Sequence, residues 1–338
     1  MKALVAMVVP LLSILVSCGD DDDDGAPPEW RTVYESLEEG WLVSAWANGR
    51  DDVWFVGGTW DQALVVRWDG ERFGAVDIDG DALLWWAWGS SEGDLWVVGE
   101  RGSIFRGEDG AFVPVESPVE DATFYGVWGA TADDLWAVGN VPIEGETPRG
   151  VIVRSEDGGP FEEVEVDGDP LPGLFKVWGS AAGDVFFVGE SGTLLHWDGA
   201  ELRRLDAGTT VRLFTVHGCG AGDVYAVGGF GNGVVLHQEG AGGSWTDISP
   251  PFAPLINGVH CASGGDVVVV GMQGYVATRT AEGGWAEALP TNLDLHGVWH
   301  DGGDFGFAVG GNLLSAGRDS PQRGVLAHLG QVLPGNDL

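Results

Sequence analysis

Short apolar runs alternate with Gly- and Asp-rich turns along almost the whole chain, and the alternation is periodic. One unit recurs: an aliphatic stretch, an aromatic that is usually followed by Gly, an acid six residues on, then an aliphatic–aromatic run closing on Gly. The aromatic falls at Trp46, Trp88, Trp128, Trp178, His217, His260 and Trp299, at intervals of 42, 40, 50, 39, 43 and 39. A glycine lies eleven residues after each, at Gly57, Gly99, Gly139, Gly189, Gly228, Gly271 and Gly310. The acid is Asp in six units, and the seventh has Phe305 there with Asp304 one place early. Each unit carries four strand-like runs. In the fourth they are Leu174–Trp178, Val185–Val188, Thr193–Trp197 and Glu201–Leu205, the last two joined by Asp198-Gly199, a strong hairpin signal. Helical periodicity is absent after the first sixteen residues. Four strands per unit, seven times over, predict an all-β chain folded as a seven-bladed β-propeller.

The two ends predict how the ring closes. The last unit supplies a third strand, Val325–Leu329, and no fourth. Trp30-Arg31-Thr32-Val33, ahead of the first unit, reads like the missing one; compare Trp245-Thr246-Asp247-Ile248. The N-terminal strand is therefore expected to complete the last blade and remove an open sheet edge. The propeller is expected to span residues 30–330, with 331–338 as a tail.

The first thirty residues follow another pattern. An apolar run from Ala3 to Val16 is too short for a comfortable membrane span and suits a signal-peptide core. It ends in Leu15-Val16-Ser17-Cys18, which resembles the lipobox of bacterial lipoproteins. The resemblance implies removal of residues 1–17 and acylation of Cys18. Residues 18–29, with five aspartates at Asp20–Asp24, then Gly25 and Pro27-Pro28, read as a solvated acidic tether. The expected location is the bacterial cell envelope, lipid-anchored at the outer membrane, on its periplasmic side or at the cell surface.

Charge narrows the partners. The 338 residues hold 16 Lys+Arg against 52 Asp+Glu, a net charge of −36. No basic footprint exists to release counterions from nucleic acid, so DNA and RNA are excluded. The expected partners are the membrane, through the lipid, and an envelope protein or glycan; a monomer is expected and no cofactor.

The repeat resembles those of secreted bacterial propellers related to the BNR (Asp-box) and WD-repeat superfamily. Trp68-Asp69 and Trp197-Asp198 are WD-like, and Ser155-x-Asp157-x-Gly159 is an Asp-box fragment. The resemblance covers Trp30 to Gly330 and implies the fold. Thirteen of the 17 tryptophans occupy repeat positions, where inter-blade packing is expected. The repeated Asp is expected to accept backbone hydrogen bonds in the first turn of each blade.

Departures from the repeat supply the candidate site. Trp41, Trp60, Trp85 and Trp86 lie off the template. Two places before the repeat aromatic stand Ser44, Trp86, Gly126, Lys176, Thr215, Gly258 and Gly297, mostly small, as a crowded channel wall requires. Trp86 and Lys176 break that rule, and Lys176 is the chain's only lysine besides Lys2. It fits either a salt bridge or a cationic anchor for an acidic ligand.

In a ring of antiparallel blades, the first and third connections share one face. The second, and the links between blades, share the other. The second connections vary most, at 57–63 with Trp60, 139–150 and 310–324; the links at 167–173 and 250–255 vary too. Function concentrates on variable loops over a rigid scaffold. The candidate ligand residues are thus Trp41, Trp60, Trp86 and Lys176. Cys219 and Cys261 occupy the same turn in adjacent blades and suit a disulfide in an oxidising compartment. The alternatives are free thiols or a zinc site of His217, Cys219, His260 and Cys261. Metal is otherwise not expected.

Gly-x-Ser-x-Gly, phosphate-loop and His-Glu-x-x-His motifs are absent. The expected function is a lipid-anchored module that binds a protein or glycan, or scaffolds an envelope complex. The alternative is a carbohydrate-active enzyme of propeller fold, a sialidase-like hydrolase or a lyase. A sialidase-like site needs clustered arginines and a Tyr nucleophile, and the chain holds 14 Arg and 4 Tyr.

Overall fold

The computed structural model describes residues 28–333, apart from 37–39, 91–92, 109, 167–169, 263, 314 and 318–319. Seven four-stranded antiparallel sheets follow one another around a ring. The innermost strands are Trp41–Gly49, Leu84–Gly89, Thr123–Thr131, Leu174–Ala181, Leu213–Gly220, Ile256–Cys261 and Asp294–His300. The first six blades are built from four consecutive strands. The seventh takes its outer strand from Trp30–Ser36, which pairs antiparallel with Gly324–Leu329. The closure expected from the two ends is the observed one. Leu333, placed beyond the ring by the sequence reading, is buried with Phe55, Trp68 and Phe307, so the chain stays packed on the fold to that point.

The repeat positions have steric causes. The glycine eleven residues after the aromatic faces the first residues of the inner strand, where the pairing register shifts. A Cβ on any of the seven would sit 1.9–2.4 Å from the backbone carbonyl oxygen of the first residue of that strand or of the residue just before it. The glycine just after the aromatic answers to the neighbouring blade. A Cβ on Gly89, Gly129, Gly179 or Gly218 would come within 3 Å of the ring of Trp46, Trp88, Trp128 or Trp178, one blade earlier. Each Trp therefore lies in the seam between two blades, over a residue with no side chain.

The two histidines of the series follow from the same seam. In blade 6 the glycine is replaced by Cys261, and the preceding blade carries His217 instead of Trp. In blade 7 it is replaced by His300, and the preceding blade carries His260. The smaller imidazoles make room: His217 Nδ1 accepts the Cys261 N–H at 3.1 Å, and His260 meets His300 edge to face at 5.0 Å. Burial holds all three below the usual histidine range, His217 at about 3. They are neutral at physiological pH.

The repeated Asp does something other than expected. In five blades its partner is a side chain on the third strand, and Asp184 also accepts the hydroxyl of Ser180 in the first turn at 2.5 Å. Asp52 holds Arg67 at 2.8 Å, Asp94 holds Arg106 at 3.0 Å and Asp134 holds Arg154 at 3.1 Å. Asp184 and Asp223 hold His196 and His237, each at 2.7 Å. Each cation or imidazole also lies against the aromatic opposite it in the sheet, Trp54, Trp96, Trp136, Phe186 or Tyr225. Blade 6 has Val268 opposite Thr278, and blade 7 has Phe305 and Phe307 around His328.

Cys219 and Cys261 are joined as a disulfide with Cα atoms 5.0 Å apart, tying the inner strands of blades 5 and 6 together. With the sulfurs joined and His217 Nδ1 engaged by backbone, the zinc arrangement and free thiols have no place here. Among the described residues no group of three or more His, Cys, Asp or Glu side chains is placed to hold a metal. Replacing both cysteines with serine is expected to cost roughly 2–4 kcal/mol. Urea unfolding with and without reductant checks this: reductant should weaken the parent protein and leave the double variant unchanged.

Candidate functional site

The strand order decides which side chains meet at each end of the central channel. Inner strands enter from the face that carries the second connections and blade links, the loop face, and leave at the opposite turn face. The repeat aromatics stand near the strand ends, so all seven line the turn-face end of the channel, a cavity of about 170 Å³. Three residues earlier on each strand stand Val43, Trp85, Tyr125, Phe175, Phe214, Asn257 and His296. These seven form the wall of a funnel of about 310 Å³ at the loop face. Trp86 lines both cavities and marks the constriction between them.

Four consecutive blades contribute an aromatic collar to this funnel. Trp85 meets Tyr125 at 4.9 Å, Tyr125 meets Phe175 at 5.6 Å and Phe175 meets Phe214 at 5.1 Å, the first two pairs edge to face. The position escaped the sequence reading, which compared the column one residue later. Its signal was available: one repeat position holding four aromatics in succession.

Lys176 sits at the floor. It is 8% exposed. Its side chain crosses blade 3 at Gly126, where a Cβ would come 3.0 Å from Lys176 Cα. Nζ donates to the Tyr125 carbonyl at 2.5 Å and lies 3.8 Å from the centre of a Trp86 ring. The two residues that broke the small-residue column thus form one cation–π pair. Burial lowers the amine to about 7. His296, also in the wall, is pushed down to about 4 by burial first and by Lys176 second, and its buried Nε2 has no hydrogen-bond partner.

The acids at the rim are engaged elsewhere. Glu190 pairs with Arg212 at 3.3 Å. Glu100 accepts from Trp85 Nε1 at 3.0 Å and from the Thr123 hydroxyl at 3.2 Å. Tyr125 is raised to about 12 by burial and by Glu100.

Trp41 and Trp60 are placed differently from Trp86 and Lys176. Trp41 is 0% exposed and donates from Nε1 to Asn312 Oδ1 at 2.8 Å. It therefore touches no solvent-borne ligand, and the expectation that it does is corrected. Its job is to anchor the long loop of blade 7. The same Asn312 Oδ1 accepts the Arg323 N–H at 2.8 Å, and Nδ2 donates to the Pro321 carbonyl. Trp60 packs edge to face on Trp41 at 5.2 Å, and both belong to a cluster with Leu83 and Leu313. This cluster buttresses the funnel wall at Val43 and Leu313.

Beyond the funnel the loop face carries exposed apolar side chains. Phe230, in the second connection of blade 5, is 81% exposed, and Phe252, in the link to blade 6, is 101% exposed. A bridge between Asn232 and Pro254 brings their two loops together. Phe252 also holds a left-handed backbone, φ 63°, uncommon for a bulky residue. Leu289, at the next blade link, is 69% exposed.

No family model matches the chain, and no curated protein matches it. Solved structures do. The chain is similar to a streptogramin B lyase structure with TM-score 0.68 and 15% identity, covering 89% of this chain and 98% of that one. It is similar to YCF48 bound to D1 peptide, with TM-score 0.64 and 14% identity over 91% and 98%. It is also similar to the WD40 β-propeller domain of Doa1, with TM-score 0.66 and 10% identity over 89% and 97%. At these identities the likeness shows the fold: this chain is a seven-bladed β-propeller.

Proposed function

We propose that the protein is a lipid-anchored envelope propeller that binds a ligand or partner through its loop face and scaffolds it there. One observation carries the reading. The aromatic funnel with Lys176 at its floor opens on the same face as the long loops and the exposed Phe230, Phe252 and Leu289. An exposed apolar set of this kind around a pocket suits a protein partner better than a fully hydrated glycan. The likeness to YCF48, whose structure is bound to D1 peptide, adds that this fold can present a peptide site.

Acylation of Cys18, which lies outside the described residues, would hold the propeller near a bilayer. The closing strand starts at Trp30 on the turn face, opposite the funnel. Residues 19–29 reach at most about 36 Å. Cys18→Ala is expected to move the protein from the membrane fraction to the soluble fraction. Retention of the variant in membranes would contradict the anchor.

A lyase is the second reading, and the unpartnered Nε2 of His296 beside Lys176 favours it. A sialidase-like hydrolase fits less well: among the described residues Arg212 is the one arginine lining the funnel, and Glu190 holds it. A glycan array on the purified chain, followed by incubation with any glycan retained, separates the readings. Cleavage of a retained glycan would overturn the binding-module reading.

A further inference from the structure

We propose that the funnel selects a monocarboxylate whose acid group is carried close to an aromatic or branched apolar body. The carboxylate pairs with Lys176 Nζ and the body lies within the collar of Trp85, Tyr125, Phe175 and Phe214. This inference rests on the reading of the funnel as the ligand site and names the chemistry that fits it.

Buried charges are paired, because an isolated ion in an apolar site loses several kcal/mol of hydration. Lys176 is the exception among the described residues. It is more than nine-tenths buried, and its partners among the described residues are a carbonyl oxygen and a π face, with no carboxylate. An ammonium has three donors. A carbonyl satisfies one and the Trp86 ring attracts the charge, so the site still lacks an anion. Glu190 and Glu100 do not supply it, being held at the rim by Arg212 and by Trp85 with Thr123. A ligand therefore has to bring it. Beside Lys176 the buried Nε2 of His296 stands unpartnered, a second polar atom for the ligand to meet.

The rest of the funnel limits what carries the acid. About 310 Å³ is at the small end of ligand cavities and admits a compact group. Four aromatic walls favour an apolar or aromatic body. One amine at the floor matches one negative charge. A second charge, as in a phosphate monoester or a dicarboxylate, would face the collar or the glutamates at the rim.

Binding should couple to protons. A carboxylate on Nζ favours the ammonium, so an amine that titrates near 7 in the empty site takes up a proton when the ligand binds above that pH. Two other groups facing the site keep their charge state across this window. His296, at about 4, stays neutral and Tyr125, at about 12, stays a phenol; the remaining charged groups at the rim are Glu190, paired with Arg212, and Glu100, which accepts from Trp85 and Thr123. Affinity should fall as pH rises from 7 to 9.

The test is calorimetric titration of the full chain in detergent with 3-phenylpropionate, its primary amide, benzylmalonate, and a tripeptide ending in phenylalanine as free acid or amide. The free acids should bind at least tenfold tighter than their amides and than benzylmalonate, with proton uptake at pH 8. Lys176→Met should remove the preference for acid over amide, and Phe214→Ala should weaken both. If the tripeptide acid binds tighter than 3-phenylpropionate, the source is a chain end; the reverse order indicates a small free acid. Equal affinity for acid and amide, with Phe214→Ala weakening both, would overturn the carboxylate assignment and leave the funnel as the site. Absence of binding by every probe would overturn the proposal, while the funnel itself is tested separately by crosslinking.

Discussion

Lys176→Met is expected to make the empty protein more stable at and below neutral pH, although it deletes a hydrogen bond and a cation–π contact. Burial puts the amine at about 7 in the fold, against an ordinary value of 10.5 in the unfolded chain. Between those values the unfolded chain binds more protons than the folded one, so stability rises with pH across the window. At pH 7 and below the whole penalty is present. Roughly three and a half pKa units correspond to about 5 kcal/mol, an upper bound because the Tyr125 carbonyl and Trp86 face return part of it. Methionine fills similar volume without a charge. A gain of about 1–4 kcal/mol at pH 6 is expected. Urea unfolding at pH 6, 8 and 9.5 checks it, and the difference between the two proteins should close as pH rises. A variant less stable than its parent at pH 6 would mean that the charge is satisfied within the fold.

The second large effect concerns the closing strand. Deleting residues 28–36 leaves Gly324–Leu329, a wholly buried strand, as a bare edge. It also strips Trp30 from the cluster around Val325 and Ala327, and Val33 and Tyr34 from the cluster around Phe307 and Leu326. Six register pairs are lost. With each backbone bond contributing about 1 kcal/mol net, a loss on the order of 5 kcal/mol is expected, before the apolar surface is counted. The thermal midpoint should fall by more than 10 °C, with concentration-dependent aggregation through the open edge. A synthetic peptide of residues 28–36 added in trans should restore part of the midpoint. A deletion variant that unfolds like its parent would contradict closure by this strand.

The fold was legible because its causes are local and repeated. The Gly eleven residues after each aromatic is demanded by a carbonyl within its own hairpin, so the spacing survives in every blade. The closing strand was legible because a missing fourth run at one end matched a spare run at the other. The inter-blade rules were harder to see, since the residues that meet lie about forty positions apart. His217 and His260 beside Cys219 and Cys261 look like chemistry in the sequence, while His300 gives no such signal. In the fold His217 and His260 are steric compensation in two consecutive seams.

The site was half legible. Trp86 and Lys176 stood out as misfits in a column of small residues, and the structure brings them together. The collar went unseen because its aromatics are not misfits in a run that is already apolar; only their shared height on the inner strands makes them a wall. Trp41 was misread for the converse reason. It is off the template because it answers to the long loop of blade 7, through Asn312. The repeated Asp was assigned to the nearest turn, while its partner lies a whole strand further on, at Arg67, Arg106, Arg154, His196 or His237.

The measurement that bears most directly on the central claim is site-specific photocrosslinking in cells. A photoreactive phenylalanine would replace Phe214 at the funnel mouth, Phe252 at the rim of the loop face, or Trp285 on the outer strand of blade 6. Discrete adducts from positions 214 and 252 that fade with Lys176→Met, and none from 285, are what a loop-face binding module predicts. Adducts from 285 alone, or adducts at 214 and 252 indifferent to Lys176, would place the working surface elsewhere on the propeller.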